Sequence, residues 1–493
     1  MKERNETYLT NYNDWPIHKL SQDRDQFVED ISNHTIERIR QQYRDKLSDL
    51  LAKVIYLERR RIRENPWKAD PPHEIKFWNQ MRQSLLRDAL DKEDQQEAEM
   101  NELIILKKIV NRYANEIPGG FKVSTYKFAR KFLTSFFNRL LSANSERYLR
   151  RLYGARTKLR ERLKLKGDLD HLRKLSKKGT MVFVPTHFSH LDSILVGWSV
   201  DSIGIPAVIY GAGLNLYNSN ILAYFMKRLG AYTLDRRKKN EIYLEALKGH
   251  SKLAMERGVE TLFFPGGTRE RSGQVEQKLK MGLLGTTVEA QRSLYMKGED
   301  RKLFIVPVVI GYNFVLEAKQ LIDDHLKREG KERYITEKSD VTVFRTLKFL
   351  WKLMNSTSEI QLSFGKPLDV LGNFIDQEGN SLDQHGRPVE LKDYFISNGG
   401  LKADMQRDMV YTRQLASVLV DRYHRENIAL SSHVVAFVAF NMLKARNKNL
   451  DLYGLLRLAA EDRKFDFEAF KKATEAFQAI LLEYRDHDHI KVS

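Results

Sequence analysis

Met181-Val182-Phe183-Val184-Pro185-Thr186-His187-Phe188-Ser189-His190-Leu191-Asp192 is a short apolar run that breaks into a polar turn and ends on an acid. A run of this length rich in Val and Phe reads as a buried strand, and the segment that follows it, 190–200, reads as a helix. The same alternation continues downstream. Strand candidates lie at 205–210, 231–236, 260–265, 303–312 and 359–365, with helix-like segments at 217–229, 240–257 and 280–296 between them. Strands and helices alternating at this spacing predict an α/β domain over about 179–370, a largely parallel sheet covered by helices on both faces. On either side the pattern is helical: 1–120 upstream, a basic amphipathic segment at 121–178, and 371–493 downstream, where 369–400 is loop-like with five glycines before helix resumes. No internal repeat and no low-complexity tract is apparent.

The chain has 493 residues, 42% of them hydrophobic, which is enough for a sizeable core and excludes wholesale disorder. It has no cysteine, so thiolate nucleophiles and zinc–thiolate or iron–sulfur sites are excluded. The formal charge is +18, and most of it is local: residues 121–180 hold 18 Lys and Arg against Glu146, Glu161, Asp168 and Asp170, a net of +14. Such a block suits an anionic partner, whether nucleic acid, acidic lipid or an acidic carrier protein. No nucleic-acid reader motif accompanies it, so nucleic acid is the partner least expected.

The N-terminal sequence lacks an apolar run and is not expected to be a secretory signal. The longest apolar stretch, Val434 to Leu443, falls well short of the ~20 residues that span a bilayer. Within the basic block, Phe128, Phe132 and Phe136 recur every four residues, with Leu133, Phe137 and Leu140 beside them and Lys127, Lys131 and Arg139 alongside. That stripe fits a helix packed on the protein's own core and also one lying on a lipid surface.

In open α/β sheets, ligands bind beyond the carboxyl ends of the strands. Three clusters fall there: Thr186 to Asp192, then Arg236 and Arg237, then Gly266 to Gly273. A histidine followed five residues later by an aspartate in the first turn of a helix can place the carboxylate on one ring nitrogen and leave the other as a general base. The competing reading is a capping box, Ser189 to Asp192, which accounts for the acid without catalysis. Arginines around a Gly-rich turn suit a phosphate, with Arg236, Arg269 and Arg271 as candidates. The turn GGTRERSG lacks the Lys-Ser/Thr pair of a Walker loop, which argues against nucleotide hydrolysis.

VPTHFSHLDS, GAYTLDRR (230–237), FFPGGTRERSG (263–273) and IVPVVIGYNFVLE (305–317) together resemble, in order and spacing, the four motif blocks of the membrane-associated glycerol-3-phosphate acyltransferases of bacterial type. The likeness runs over about 100–445. It implies the acyltransferase-like α/β sheet with helical flanks, His187 as the base that activates the acceptor hydroxyl, and Asp192 as its orienting partner. It further implies substrate contacts at Arg236, Arg237, Gly267, Thr268, Arg269, Glu270, Arg271 and Ser272, and a pocket wall at Pro307. The implied reaction moves a fatty acyl chain from acyl-CoA or acyl carrier protein to the sn-1 hydroxyl of glycerol 3-phosphate, with no metal or redox cofactor. The implied place is the cytoplasmic face of the inner membrane, held peripherally.

Two departures stand out. The third block of the family carries Glu where this chain has Gly266, and three readings stay open: Glu270, four residues on, compensates, or substrate positioning is changed, or activity is impaired. Asp235 in the second block looks more like the lysophosphatidate acyltransferases, which keeps lysophosphatidate or dihydroxyacetone phosphate open as acceptors. Gly266 keeps open a catalytically silent, membrane-bound scaffold.

Overall fold

The computed structural model describes residues 7–90, 95–142, 163–189, 191–218, 220–270, 273–313, 315, 360–397 and 399–492. Among the described residues, helices come first: α1 (Pro16–Gln22), α2 (Arg24–Gln42), α3 (Leu47–Glu64), α4 (Glu74–Leu90), α5 (Gln95–Glu116) and α6 (Val123–Ser142). Strands and helices then alternate through β1 (Leu163–Lys166), α7 (Leu169–Leu175), β2 (Thr180–Pro185), α8 (Asp192–Ser202), β3 (Ile209–Gly213), α9 (Asn220–Met226), β4 (Ala231–Leu234), α10 (Glu241–Glu256), β5 (Thr261–Leu262), α11 (Met281–Met296), β6 (Leu303–Tyr312) and β7 (Ile360–Phe364). The C-terminal part holds short strands β8 (Phe374–Ile375), β9 (Ser381–Leu382) and β10 (Pro388–Val389) before α12 (Met405–Glu426), α13 (Ser431–Arg446), α14 (Leu452–Leu456) and α15 (Phe467–Asp486).

One seven-stranded sheet, ordered β1-β7-β6-β2-β5-β3-β4, organises the middle of the chain. Strands β6, β2, β5, β3 and β4 are parallel to one another, and β7 runs antiparallel to β6. Every residue of β2 and β6 is buried, as expected of central strands covered on both faces. The chain passes from β2 through α8 to β3 in one direction across the sheet, and from β5 through α11 to β6 in the other. Right-handed crossovers therefore put α8 and α11 on opposite faces. The cores agree: α8 packs with Phe183, Val306 and Phe364, and α11 with Val182, Val184 and Ile305. The gap between the carboxyl ends of β2 and β5 is thus a topological switch point, where a crevice opens.

The N-terminal helices do not enclose a core of their own. Residues of α2, α3 and α5 share one buried cluster with Ile209, Tyr232 and α10, so this helical layer is built onto the β3–β4 end of the sheet. Asn240 starts α10 by accepting the N–H of Tyr243, and Asp404 starts α12 in the same way with Arg407.

The absence of an internal repeat is corrected by the segment 369–389. Asp369, Asp376 and Asp383 recur every seven residues, followed in each case by a glycine at the third position on, Gly372, Gly379 and Gly386, all at positive φ. Each aspartate carbonyl accepts the glycine N–H, and each aspartate N–H bonds the carbonyl of the residue after the glycine. Three tight hairpins in succession result, and β8, β9 and β10 form a small meander where the composition suggested loop.

On α6, Thr125 and Ala129 face inward, whereas Phe128 and Phe132 are more than half exposed and stack on one another and on Phe225. The side chains of 133–142, which include the rest of the aromatic stripe, lie outside the described residues, as does 143–162 of the basic block. No helix among the described residues is long and apolar enough to cross a membrane.

Candidate active site

The chain leaves β2 at Pro185 and turns through Thr186 to Ser189 before α8 begins at Asp192. The carboxylate of Asp192 is fully buried and serves four donors. Its Oδ2 accepts the backbone N–H of Phe188 at 2.7 Å and of Ser189 at 2.8 Å, and stands 2.9 Å from His187 Nδ1. Its Oδ1 accepts the hydroxyl of Tyr312, at the end of β6. Asp192 holds the imidazole and also accepts the Ser189 N–H, but the expected capping box is only half formed: the helix starts after Leu191 without a side-chain cap, and Ser189 Oγ accepts the Leu191 N–H instead. Because a carboxylate only accepts, His187 carries its proton on Nδ1, and the lone pair is left on Nε2. The ring stacks on Phe264, just after β5, with centroids 4.0 Å apart, so His187 sits in the switch-point crevice.

Tyr312 escaped sequence reasoning. The available signal was its place: it closes a strand that neighbours β2, with its hydroxyl free to reach across. Replacing it with Phe should cost about 1 to 3 kcal/mol by leaving a buried carboxylate oxygen unsatisfied, as measured by denaturant unfolding.

The turn after β5 clamps the peptide of His187 from the opposite side. The N–H of Glu270 donates to the His187 carbonyl at 2.7 Å, and the His187 N–H donates to Glu276 Oε1, also at 2.7 Å. Burial lifts the carboxyl of Glu276 to about 7, with the charges of Glu270 and Asp192 adding to the effect and the His187 N–H opposing it. Gly267 has φ +78, and a Cβ there would meet the side chain of Lys280, which crosses over the turn.

The predicted substrate contacts divide. Gly267, Thr268, Arg269 and Glu270 are half-buried on the turn beside His187, and Arg236 is exposed after β4. Arg271 and Ser272 lie outside the described residues. Pro307 is buried in the body of the sheet, opposite Val184. Arg237 is a correction. Its guanidinium donates to both oxygens of Asp235, to Asp70 and to the Asn65 carbonyl, and lies 3.9 Å from the centre of the Trp67 ring. A guanidinium so fully engaged is a structural tie to the N-terminal helices rather than a phosphate ligand. Asp235, in turn, has that tie as its evident task.

Residues 167–311 match the family described as Acyltransferase. The chain is 26% identical over 298 residues to a glycerol-3-phosphate acyltransferase of Pseudomonas aeruginosa (strain UCBPP-PA14), a match covering 60% of this chain and 31% of that protein. It is 25% identical over 295 residues to the glycerol-3-phosphate acyltransferase of Pseudoalteromonas atlantica (strain T6c / ATCC BAA-1087), 59% of this chain and 32% of that one. The matched region thus spans about a third of the length of these relatives. The residues matched by that family contain β2, the His187–Asp192 pair, the β5 turn and β6 as far as Gly311.

Proposed function

We propose that this protein transfers a fatty acyl chain from a thioester, on coenzyme A or acyl carrier protein, to the sn-1 hydroxyl of glycerol 3-phosphate. The observation that carries the reading is His187 in the switch-point crevice, its Nδ1 held by Asp192 and its Nε2 left as the base. The acceptor hydroxyl gives its proton to Nε2 as its oxygen attacks the thioester carbonyl. The tetrahedral intermediate collapses, the carbon–sulfur bond breaks, and the imidazolium returns the proton to the departing thiolate. Asp192 stabilises the imidazolium meanwhile. Half-buried Arg269, exposed Arg236 and Lys280 supply the positive charge that an acceptor phosphate requires on this edge.

Because Asp235 serves the tie to Arg237, its presence gives no reason to prefer lysophosphatidate. The exposed Phe128 and Phe132, with half-buried Phe225 stacked on Phe128, beside Lys127 and Lys131 support peripheral contact with an anionic lipid surface. The test is a competition assay with a long-chain acyl-CoA and equal glycerol 3-phosphate, lysophosphatidate and dihydroxyacetone phosphate, on anionic and on neutral vesicles. Lysophosphatidate formed from glycerol 3-phosphate, with protein sedimenting on the anionic vesicles, is expected. Product from another acceptor, no product, or equal sedimentation on both vesicle types would overturn the corresponding part.

A further inference from the structure

Glu276 lies outside the motif blocks, in the coil between the β5 turn and α11, yet its side chain is buried against the most constrained peptide of the site. Its Oε1 accepts the His187 N–H at 2.7 Å, and among the described residues its Oε2 is buried without a hydrogen-bond partner. The space it fills belongs geometrically to another position. A Cβ built on Gly266 would stand 3.0 Å from Glu276 Cγ, 3.4 Å from Oε1 and 3.7 Å from Cδ, its three nearest neighbours outside the adjoining residues.

That last distance matters. The carboxylate oxygens of a glutamate lie roughly 3 to 3.6 Å from its own Cβ, from ordinary bond lengths and angles. The reach of a glutamate at 266 therefore includes the position of Glu276 Oε1. An aspartate, with its oxygens roughly 2.4 Å from Cβ, would fall short. The φ of Gly266 is not in the left-handed region, so its backbone accepts a side chain. Glu270, one candidate to compensate for Gly266, meets the His187 carbonyl through its backbone N–H.

We propose that Glu276 is a positioning residue for His187: it fixes the peptide that aims the imidazole, and Gly266 is glycine because Glu276 delivers its carboxylate through that position. The catalytic side of this inference rests on the acyltransferase reading, while the geometric side does not. With the carboxylate gone, the turn from Thr186 to Ser189 loses one of the two bonds that hold the His187 peptide, and Nε2 loses its fixed direction. The loss should appear in kcat with little change in KM for the acceptor, since among the described residues no hydrogen bond joins Glu276 to Arg236, Arg269 or Lys280.

The experiment uses the full chain in four variants, Glu276→Ala, Glu276→Gln, Gly266→Glu/Glu276→Ala and Gly266→Asp/Glu276→Ala. Hydrogen exchange of the peptide spanning 186–189 is followed by mass spectrometry, alongside kcat and KM. Expected are loss of protection and a kcat reduced about tenfold or more in Glu276→Ala, equivalent to about 1.4 kcal/mol or more. Glu276→Gln should keep protection, because its amide oxygen still accepts the N–H. The glutamate exchange should restore both quantities and the aspartate exchange should not. Protection across α10 should be unchanged in all four, which separates a local effect from unfolding. Unaltered exchange at 186–189 in Glu276→Ala, or no recovery in the glutamate exchange, overturns the proposal. An inactive parent protein with the expected exchange pattern would refute the acyltransferase reading and leave the positioning geometry upheld.

Discussion

His187→Ala is expected to lower kcat by roughly 10²- to 10⁴-fold, the usual worth of a positioned general base, while the folded protein keeps its stability. The variant removes the ring that bridges Asp192 and Phe264 but leaves the N–H groups of Phe188 and Ser189 on the buried carboxylate. Asp192→Asn is expected to be milder and more informative. Three N–H groups converge on Oδ2, so the amide should turn its oxygen to them and present its NH₂ to the Tyr312 oxygen. The Nδ1 proton then keeps its acceptor and the tautomer survives. What disappears is the negative charge beside the imidazolium, worth about 1.5 to 3 kcal/mol, or roughly 10- to 100-fold in rate. Steady-state kinetics of the two variants with glycerol 3-phosphate and an acyl-CoA check both expectations. An Asp192→Asn loss equal to that of His187→Ala would mean that the tautomer is lost too, and that Tyr312 does not steer the amide. A His187→Ala enzyme with unimpaired kcat would remove the base from the mechanism.

How much of this could be read in the chain depended on whether a signal was local. The strand at 303–312 and the helices after 240 and 280 were legible because the hydrophobic pattern of each lies within one element, reinforced at 240 by the Asn240 cap. The third strand was expected at 205–210 but forms at Ile209–Gly213, through Gly211-Ala212-Gly213, residues poor in strand propensity. Pairing decides there: Gly211 faces Tyr232 across the ladder, and a Cβ on Gly211 would stand 3.1 Å from that ring. Strand β1 was missed because Leu163-Lys164-Leu165-Lys166 is short and half lysine, as strands at a sheet edge tend to be. At the site, the His187–Asp192 pair was visible at five residues' separation. Its other partners were not, since Tyr312 and Glu276 reach it from 120 and 89 residues further along, and only the order of strands brings them there. Arg237 shows the reverse error. Its place after a strand was read correctly, but one of the two acids that claim it, Asp70, comes from another layer of the fold.

That layer makes the second large prediction, Arg61→Ala. On α3, Arg61 is nearly buried and meets Glu58 at 2.8 Å, Asp70 at 3.1 Å and Glu74, the first residue of α4. Glu58 accepts from Asn240 at 2.8 Å, Asp70 holds Arg237, and Glu74 pairs with Arg112 of α5. Lys238 closes the group onto Glu116 between the rings of Tyr113 and Tyr243. The loop between β4 and α10 is thereby stitched to three N-terminal helices by charge. Removing Arg61 leaves acids facing one another with little water to solvate them, a change that costs about 3 to 5 kcal/mol when a buried pair loses one partner. Denaturant unfolding should show that loss, and 1 M salt should recover little of it, because buried charges are weakly screened. Pairing the change with Glu74→Gln should return part of the stability, giving a coupling of about 0.5 to 3 kcal/mol in a double-mutant cycle. Exchange protection at 235–240 should fall in Arg61→Ala and rise again in the double variant. The turn that carries Arg236 would then be held in place by residues more than 100 positions upstream, and additive effects of the two substitutions would show that it is not.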